Sequence, residues 1–113
     1  MIKMIIKMND EKILSENDYT LDRVYSGLDR VFARYGYSAE KVDGNLEYKG
    51  NCDPGDFGKF GHIYNGLRKQ TWFYDNVDTW LLCNSDDVED QNDFSVEDLL
   101  YYDGSRVRVS ASI

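Results

Sequence analysis

The chain has 113 residues, 42% of them hydrophobic, and carries 21 acidic against 13 basic residues, for a net charge of −8. This length and composition exclude a disordered chain and leave little room for a second domain, so we expect one domain spanning residues 1–113. The first apolar run is interrupted by Lys3 and Lys7, is too short to span a bilayer and lacks a signal-peptide layout, which predicts a cytoplasmic protein.

The first third of the chain predicts a strand, a loop and a helix. Residues 2–8 alternate between apolar and other positions, the pattern of a half-buried strand, and the polar residues 9–18 are predicted to form a loop. Gly36 is a natural helix stop, and Gly27 destabilises a helix by about 1 kcal/mol relative to Ala, which suggests close packing there. The helix itself is predicted by a stripe at helical spacing: Leu21, Val24, Leu28, Val31, Phe32 and Tyr35.

The middle of the chain is rich in glycine and aromatic residues. Residues 45–49 predict a short strand, residues 50–61 predict a loop, and a weak helical pattern covers residues 57–69. Residues 71–74 and 79–83 predict two strands of a hairpin. Both faces of this hairpin are largely apolar, so we expect it in the middle of a sheet.

The last third begins with a polar, acidic stretch at residues 84–93, which predicts a loop. Ser95, with Asp98 three residues later, predicts the N-cap of a helix that runs to about Tyr102. Residues 106–113 alternate again and predict a final strand. The expected fold is therefore α+β, with a mixed or antiparallel sheet of four to five strands and two to three helices.

Charge is distributed unevenly along the chain. Residues 1–69 contain eleven acids and eleven bases, whereas residues 70–105 contain ten acids and no base. The like charges of such a block repel one another, and a cationic partner would reduce this repulsion. Carboxylates about 5–7 Å apart on strands and helices approach the charge density of a nucleic-acid backbone, so the block is suited to mimic nucleic acid in a basic groove.

We therefore expect the base-free block to bind a basic, nucleic-acid-binding protein, with an exposed tyrosine as an anchor. Two other interpretations stay open, because acid runs in loops are usually only solvated and a weak cation site is conceivable. The expected partner-binding residues are Asp75, Asp78, Asp86, Asp87, Glu89, Asp90, Asp93, Glu97, Asp98 and Tyr101.

In overall character the chain resembles the small acidic anti-CRISPR proteins of phages and mobile elements. The resemblance covers length, a pI of about 4.5, aromatic-rich strands and Asp-rich loops, and it includes no diagnostic motif. It implies a single α+β domain that plugs a nucleic-acid channel of a Cas nuclease. An immunity protein that neutralises a cationic nuclease toxin is the alternative, since it requires the same acidic surface.

Enzymatic chemistry has weaker support, and we expect no catalytic activity, no cofactor and no metal. Cys52 and His62 are a conceivable nucleophile and base, which leaves a small enzyme as a further alternative, but their spacing matches no motif. A zinc site needs about four ligands, and the chain offers only these two residues and Cys83, without a CxxC pair. Both cysteines are expected to be free thiols.

The strongest aromatic group, Trp72, Phe73, Tyr74 and Trp80, is expected to belong to the core. Base stacking on nucleic acid requires aromatic residues interleaved with Lys and Arg, whereas the sequence neighbours here are Asp75 and Asp78. Direct nucleic-acid binding is therefore not expected.

Overall fold

The fold is built on one antiparallel sheet. A computed structural model describes residues 2–16, 18–84 and 95–102. In chain order the strands are β1 Ile2–Met8, β2 Ala39–Val42, β3 Asn45–Lys49, β4 Val77–Asn84 and β5 Ser95–Asp98. They lie in the spatial order β2-β3-β1-β4-β5, and every neighbouring pair is antiparallel.

The helices of the described residues differ widely in length. Three have seven or more residues, and two are single turns of four residues. In chain order they are α1 Asp10–Glu16, α2 Leu21–Ala33, α3 Asp56–Leu67, α4 Thr71–Tyr74 and α5 Leu99–Tyr102. The predicted α+β class is confirmed, and the sheet, expected to be mixed or antiparallel with four to five strands, is antiparallel with five. The described residues contain five helices where two to three were expected, and the unexpected ones are α1 and α4. No helix in these ranges is both long enough and apolar enough to cross a membrane.

The core lies between one face of the sheet and the helices. The predicted alternation in β1 is confirmed, since every second side chain (Ile2, Met4, Ile6 and Met8) is buried and the lysines are not. Trp80 of β4 pairs with Ile6, so both project from the same face. On that face α2 and α3 complete the core, which includes Met4, Ile6, Leu28, Phe32, Phe60, Ile63 and Trp80.

The predicted helix in the first third is confirmed as α2. The Thr20 side chain accepts a hydrogen bond from the backbone N–H of Arg23, which caps the first turn. Gly36 follows the helix with a φ of 88°, the left-handed conformation of a helix stop. The close packing expected at Gly27 is present, because a Cβ there would lie 3.2 Å from Cη2 of Trp72.

The predicted hairpin over residues 71–83 is wrong. Residues 71–74 form α4, in which the Gln70 carbonyl accepts from the N–H groups of Phe73 and Tyr74. This turn places Phe73 edge-on against Trp80, with ring centroids 4.9 Å apart, and both side chains are fully buried. Burial of Phe73 therefore outweighs the β propensity of these aromatic residues. The second predicted strand is confirmed as β4, which is interior because it pairs with β1 and β5.

Two further expectations near the start of the chain are corrected. Residues 9–18 are not all loop, because Asp10–Glu16 forms α1. The Asn9 side chain accepts from the N–H of Lys12 at 3.1 Å and caps this helix. The strand β2 was not expected either. It forms a hairpin with the predicted strand β3 through Asp43 and Gly44, whose φ values of 52° and 83° are those of a type I′ turn.

The remaining differences concern residues 50–61 and the C-terminal third. The predicted loop is shorter, since α3 begins at Asp56, and the weak helical pattern over residues 57–69 is confirmed in most of its length. Ser95 is not an N-cap but the first residue of β5, where it pairs with Asn84. Sheet pairing replaces the expected first helical turn, and α5 begins only at Leu99. Residues 85–94 and 103–113, including the predicted final strand, lie outside the described residues.

Candidate partner-binding surface

The order of the strands places the described part of the charge block at one end of the sheet. The base-free residues 70–105 contribute β4 and β5, which occupy one side, while the three other strands carry the lysines of the sheet. We name the described carboxylates on the first side the acidic edge: Asp75, Asp78, Glu97 and Asp98. The lysines on the other strands are Lys3, Lys7, Lys41 and Lys49.

The acidic edge is largely open to solvent. Asp75, Asp78 and Glu97 are exposed, and none of the three forms an ion pair with another described residue. Asp98 of β5 pairs with Leu81 of β4. Leu81 lies three residues beyond Asp78, so Asp98 is displaced from Asp78 by about 10 Å along the strand direction. Bases also border this surface. The Lys12 ammonium donates to the backbone carbonyl of Asp75, and Lys7 of β1 pairs with Thr79, next to Asp78.

Within the acidic edge, Asp98 also has a structural role. Its Oδ1 accepts from the N–H of Leu100 at 3.2 Å, which caps the short helix α5. Glu97 has no such bond among the described residues, and its charge on the outermost strand of the described sheet also disfavours pairing with another chain. Glu97 is therefore the cleaner probe of partner binding.

Several expected partner-binding residues cannot be placed. Asp86, Asp87, Glu89, Asp90 and Asp93 lie outside the described residues, and Tyr101 belongs to α5 while its side chain lies outside them. Asn84 and Ser95, which flank residues 85–94 in the sequence, pair with each other across β4 and β5. The two described residues on either side of this segment therefore lie side by side at one end of the β4–β5 pair.

The structure does not join Cys52 and His62 by a hydrogen bond. Cys52 is exposed in the loop before α3, with a φ of 57°, and His62 is exposed on α3. Cys83 is buried on β4, and its burial raises the pKa of the thiol. Both cysteines are free. Among residues 2–16, 18–84 and 95–102 no group of three or more His, Cys, Asp or Glu side chains is placed to hold a metal ion.

A buried carboxylate, Asp56, stands out although the sequence did not single it out. Its Oδ1 accepts from the Tyr37 hydroxyl at 2.6 Å, and its Oδ2 accepts from the N–H groups of Asn51 and Asp53 at 2.7 and 3.0 Å. Burial alone would raise the pKa of Asp56, but these hydrogen bonds and the nearby Lys59 outweigh it, and the pKa is lowered. Because both oxygens are already bonded, Asp56 organises the loop rather than serving a ligand.

A groove of about 830 Å³ opens between α2 and α3, and its lining includes Arg23, Arg30, Arg34 and Trp72. We name it the arginine groove. The sequence contains a signal for it, since the three arginines are spaced by seven and four residues and so share one face of α2. None of the acidic-edge residues lines it.

Comparisons with protein-family models, with curated proteins and with solved structures found no match for the chain. Its functional interpretation therefore rests on the geometry described above.

Proposed function

We propose that the protein is an inhibitory binding protein that blocks a nucleic-acid-processing enzyme with its acidic edge and the adjoining acids of residues 86–93. The observation that carries this proposal is the strand order, which collects the base-free part of the chain on one side of the sheet. On that side Asp75, Asp78 and Glu97 are exposed and have no ion-pair partner among the described residues.

The physical basis is electrostatic complementarity. A nuclease groove that binds nucleic acid is lined by Lys and Arg, and a carboxylate-rich edge offers it several exposed negative charges. Displacement of counterions then favours binding, as it does for the nucleic acid itself. Complementary charge also accelerates encounter of the two proteins. In this proposal the acidic edge contacts protein and not nucleic acid, and neither Cys52 nor His62 has a catalytic role.

The most specific form of the proposal is an anti-CRISPR protein that acts on a Cas nuclease in the cytoplasm of a host cell. Its support is the resemblance in length, charge and aromatic content to that class, together with the placement of the acidic edge. An immunity protein for a cationic nuclease toxin is the second candidate, and the same edge supports it. Binding to a panel of purified Cas nucleases and basic nuclease toxins distinguishes the two.

The test reverses charge on the described part of the surface. Asp78→Lys/Glu97→Lys should weaken binding to the enzyme by about tenfold or more at low salt, mainly through slower association. The difference from the parent protein should shrink as salt increases, because the lost attraction is screened within about 8 Å at physiological ionic strength. Association and dissociation rates are measured by surface-immobilised binding across a NaCl series.

The matched control is Asp18→Lys/Glu40→Lys, which changes the net charge equally. Both residues are exposed and lie outside the acidic edge, Asp18 before α2 and Glu40 on β2 at the other side of the sheet. The control should bind within about threefold of the parent protein, since exposed charges far from an interface contribute little. A second variant, Asp86→Lys/Asp87→Lys/Glu89→Lys, tests the adjoining segment. If both acidic-surface variants bind as tightly as the parent at every salt concentration, the acidic surface is only a solubility feature.

A further inference from the structure

The arginine groove contains an unusual row of positive charge for a protein of net charge −8. Arg23 and Arg30 of α2 and its C-cap residue Arg34 follow one face of the helix and span about 16 Å at a rise of 1.5 Å per residue. Arg30 and Arg34 are four residues apart, so their charges repel each other, although both lie at the end of α2 where the helix dipole favours a cation. A bound anion would relieve this repulsion.

The three guanidinium groups are free to meet such an anion. All three residues are exposed, and none of their side chains forms an ion pair or hydrogen bond with another described residue. A guanidinium presents several N–H groups in a flat fork that matches two oxygens of a phosphate. The groove therefore offers up to three phosphate contacts along one line.

An aromatic ring lies in the same row. The indole of Trp72 packs over Gly27, which lies between Arg23 and Arg30 on the helix surface, and this approach is possible because Gly27 has no side chain. The Trp72 Nε1–H donates to the Gln70 side chain at 3.2 Å, which helps to fix the ring, and the side chain remains partly exposed. Trp72, which has acidic neighbours in the sequence, thus has arginine neighbours in space.

We propose that the arginine groove binds a short segment of single-stranded nucleic acid, with phosphates on the arginines and a base stacked on Trp72. Arginines combined with a solvent-accessible part of an aromatic ring are the two elements that single-strand binding uses, and the partly exposed Trp72 supplies the second. Asp18 and Asp22 also line the groove and should keep the affinity modest. The inference does not rest on the acidic edge, so either proposal can fail alone.

The experiment uses the full chain and fluorescein-labelled oligonucleotides of about eight nucleotides, RNA and DNA, in fluorescence anisotropy titrations. Binding should be saturable at about 20 mM NaCl, and the logarithm of the binding constant should fall against log[NaCl] with a slope of about −2 for three phosphate contacts. The tighter of the two oligonucleotides identifies the sugar that the groove prefers. Absence of saturable binding to both would overturn the proposal.

Variants separate the two contacts. Arg30→Gln/Arg34→Gln should weaken binding at least tenfold and reduce the magnitude of the salt slope by about 1.4, since two phosphate contacts are lost. Trp72→Leu should weaken binding by about tenfold without changing the slope, because stacking is not ionic. Far-UV circular dichroism checks that each variant is folded. If Trp72→Leu does not fold, the arginine variant alone decides the outcome.

The controls test specificity. Lys7→Gln/Lys41→Gln removes the same charge from exposed positions outside the groove and should change affinity less than about twofold. Asp18→Asn/Asp22→Asn should tighten binding. Two outcomes would refute the assignment, because each would show that the protein only attracts anions. The lysine control could bind the oligonucleotides as weakly as the arginine variant does, or the parent protein could bind polyglutamate as tightly as the oligonucleotides.

Discussion

At the scale of single residues, Asp56 has the most demanding environment of the described carboxylates. It joins the loop before α3 to Tyr37, which lies nineteen residues earlier in the chain. The sequence shows only an acid within a glycine-rich stretch, because the partners of Asp56 are brought together by the fold. Asp78 is also an aspartate, but it is exposed, so the residue type alone does not distinguish a buried structural carboxylate from a solvated one.

Replacement of Asp56 by asparagine should destabilise the protein at pH 7 by about 1–3 kcal/mol, the usual consequence of an unsatisfied buried hydrogen bond. The new amide presents one acceptor oxygen where the carboxylate presents two. If this oxygen faces the N–H groups of Asn51 and Asp53, those bonds lose the help of the negative charge and the Tyr37 hydroxyl must accept instead of donate; if it faces Tyr37, both N–H groups lose their acceptor. Urea unfolding of both proteins measures the difference. Asp78→Asn, at an exposed position, is the control and should lie within about 0.5 kcal/mol of the parent.

The difference in stability between the parent protein and Asp56→Asn should depend on pH. The pKa of Asp56 is lowered in the folded state from an unfolded value near 3.8, so the carboxylate contributes stability above that value. This contribution is lost as the pH falls through the folded pKa, and protonated Asp56 then resembles asparagine. The stability difference between parent and variant should therefore narrow on acidification. A constant difference down to the folded pKa would contradict the role given to the ionised group.

At the scale of elements, predictability follows the length of the hydrophobic pattern. The helix α2 was predicted because its apolar stripe extends over more than three turns, and β1 because its alternation is regular. The helix α1 was missed because it buries only Ile13 and so has no stripe, although Asn9 and the acids after it are a local start signal. The four residues of α4 contain no periodicity at all, and burial of Phe73 decides their conformation.

The glycines of α3 and of the β2–β3 turn should respond oppositely to the same substitution. Gly61→Ala should stabilise the protein by about 0.5–1 kcal/mol, because alanine is the better helix former and a Cβ there meets no atom within 4 Å. Gly44→Ala should destabilise it by about 1–2 kcal/mol, because a φ of +83° is strained for alanine although the space is equally open. Chemical denaturation of the two variants measures both signs. A stabilising Gly44→Ala would contradict the type I′ turn.

At the scale of the whole molecule, the sequence revealed the composition of the acidic surface but not its shape. The block of acids is visible by counting, whereas its position on one side of the sheet depends on pairing between β1 and β4, which are far apart in the chain. The arginine groove was not predicted, because residues 71–74 were assigned to a strand and Trp72 was therefore not expected beside α2. The positions of the acidic edge and of the arginine groove thus depend on long-range strand pairing and on the short helix α4, which sequence patterns do not reveal.

A surface that is adapted to a cationic partner should destabilise the free protein. With a net charge of −8 and the excess collected on one side, like charges repel one another in the folded state, and this repulsion is screened by salt. The free energy of unfolding should therefore rise as NaCl increases from about 10 mM to about 300 mM, measured by urea denaturation at constant pH.

The two charge-reversal variants locate this repulsion. Asp78→Lys/Glu97→Lys should be more stable than the parent at low salt and less dependent on NaCl, because it breaks the run of acids on the acidic edge. Asp18→Lys/Glu40→Lys reduces the net negative charge by the same amount but lies elsewhere, so it should respond to salt nearly as the parent does. It also removes the exposed ion pair between Lys49 and Glu40, which contributes at most about 1 kcal/mol. If both variants lose the salt response equally, total charge and not its placement governs the stability. If stability falls with NaCl in the parent, attraction outweighs repulsion in the folded chain, and the acidic edge is already neutralised by the protein's own bases.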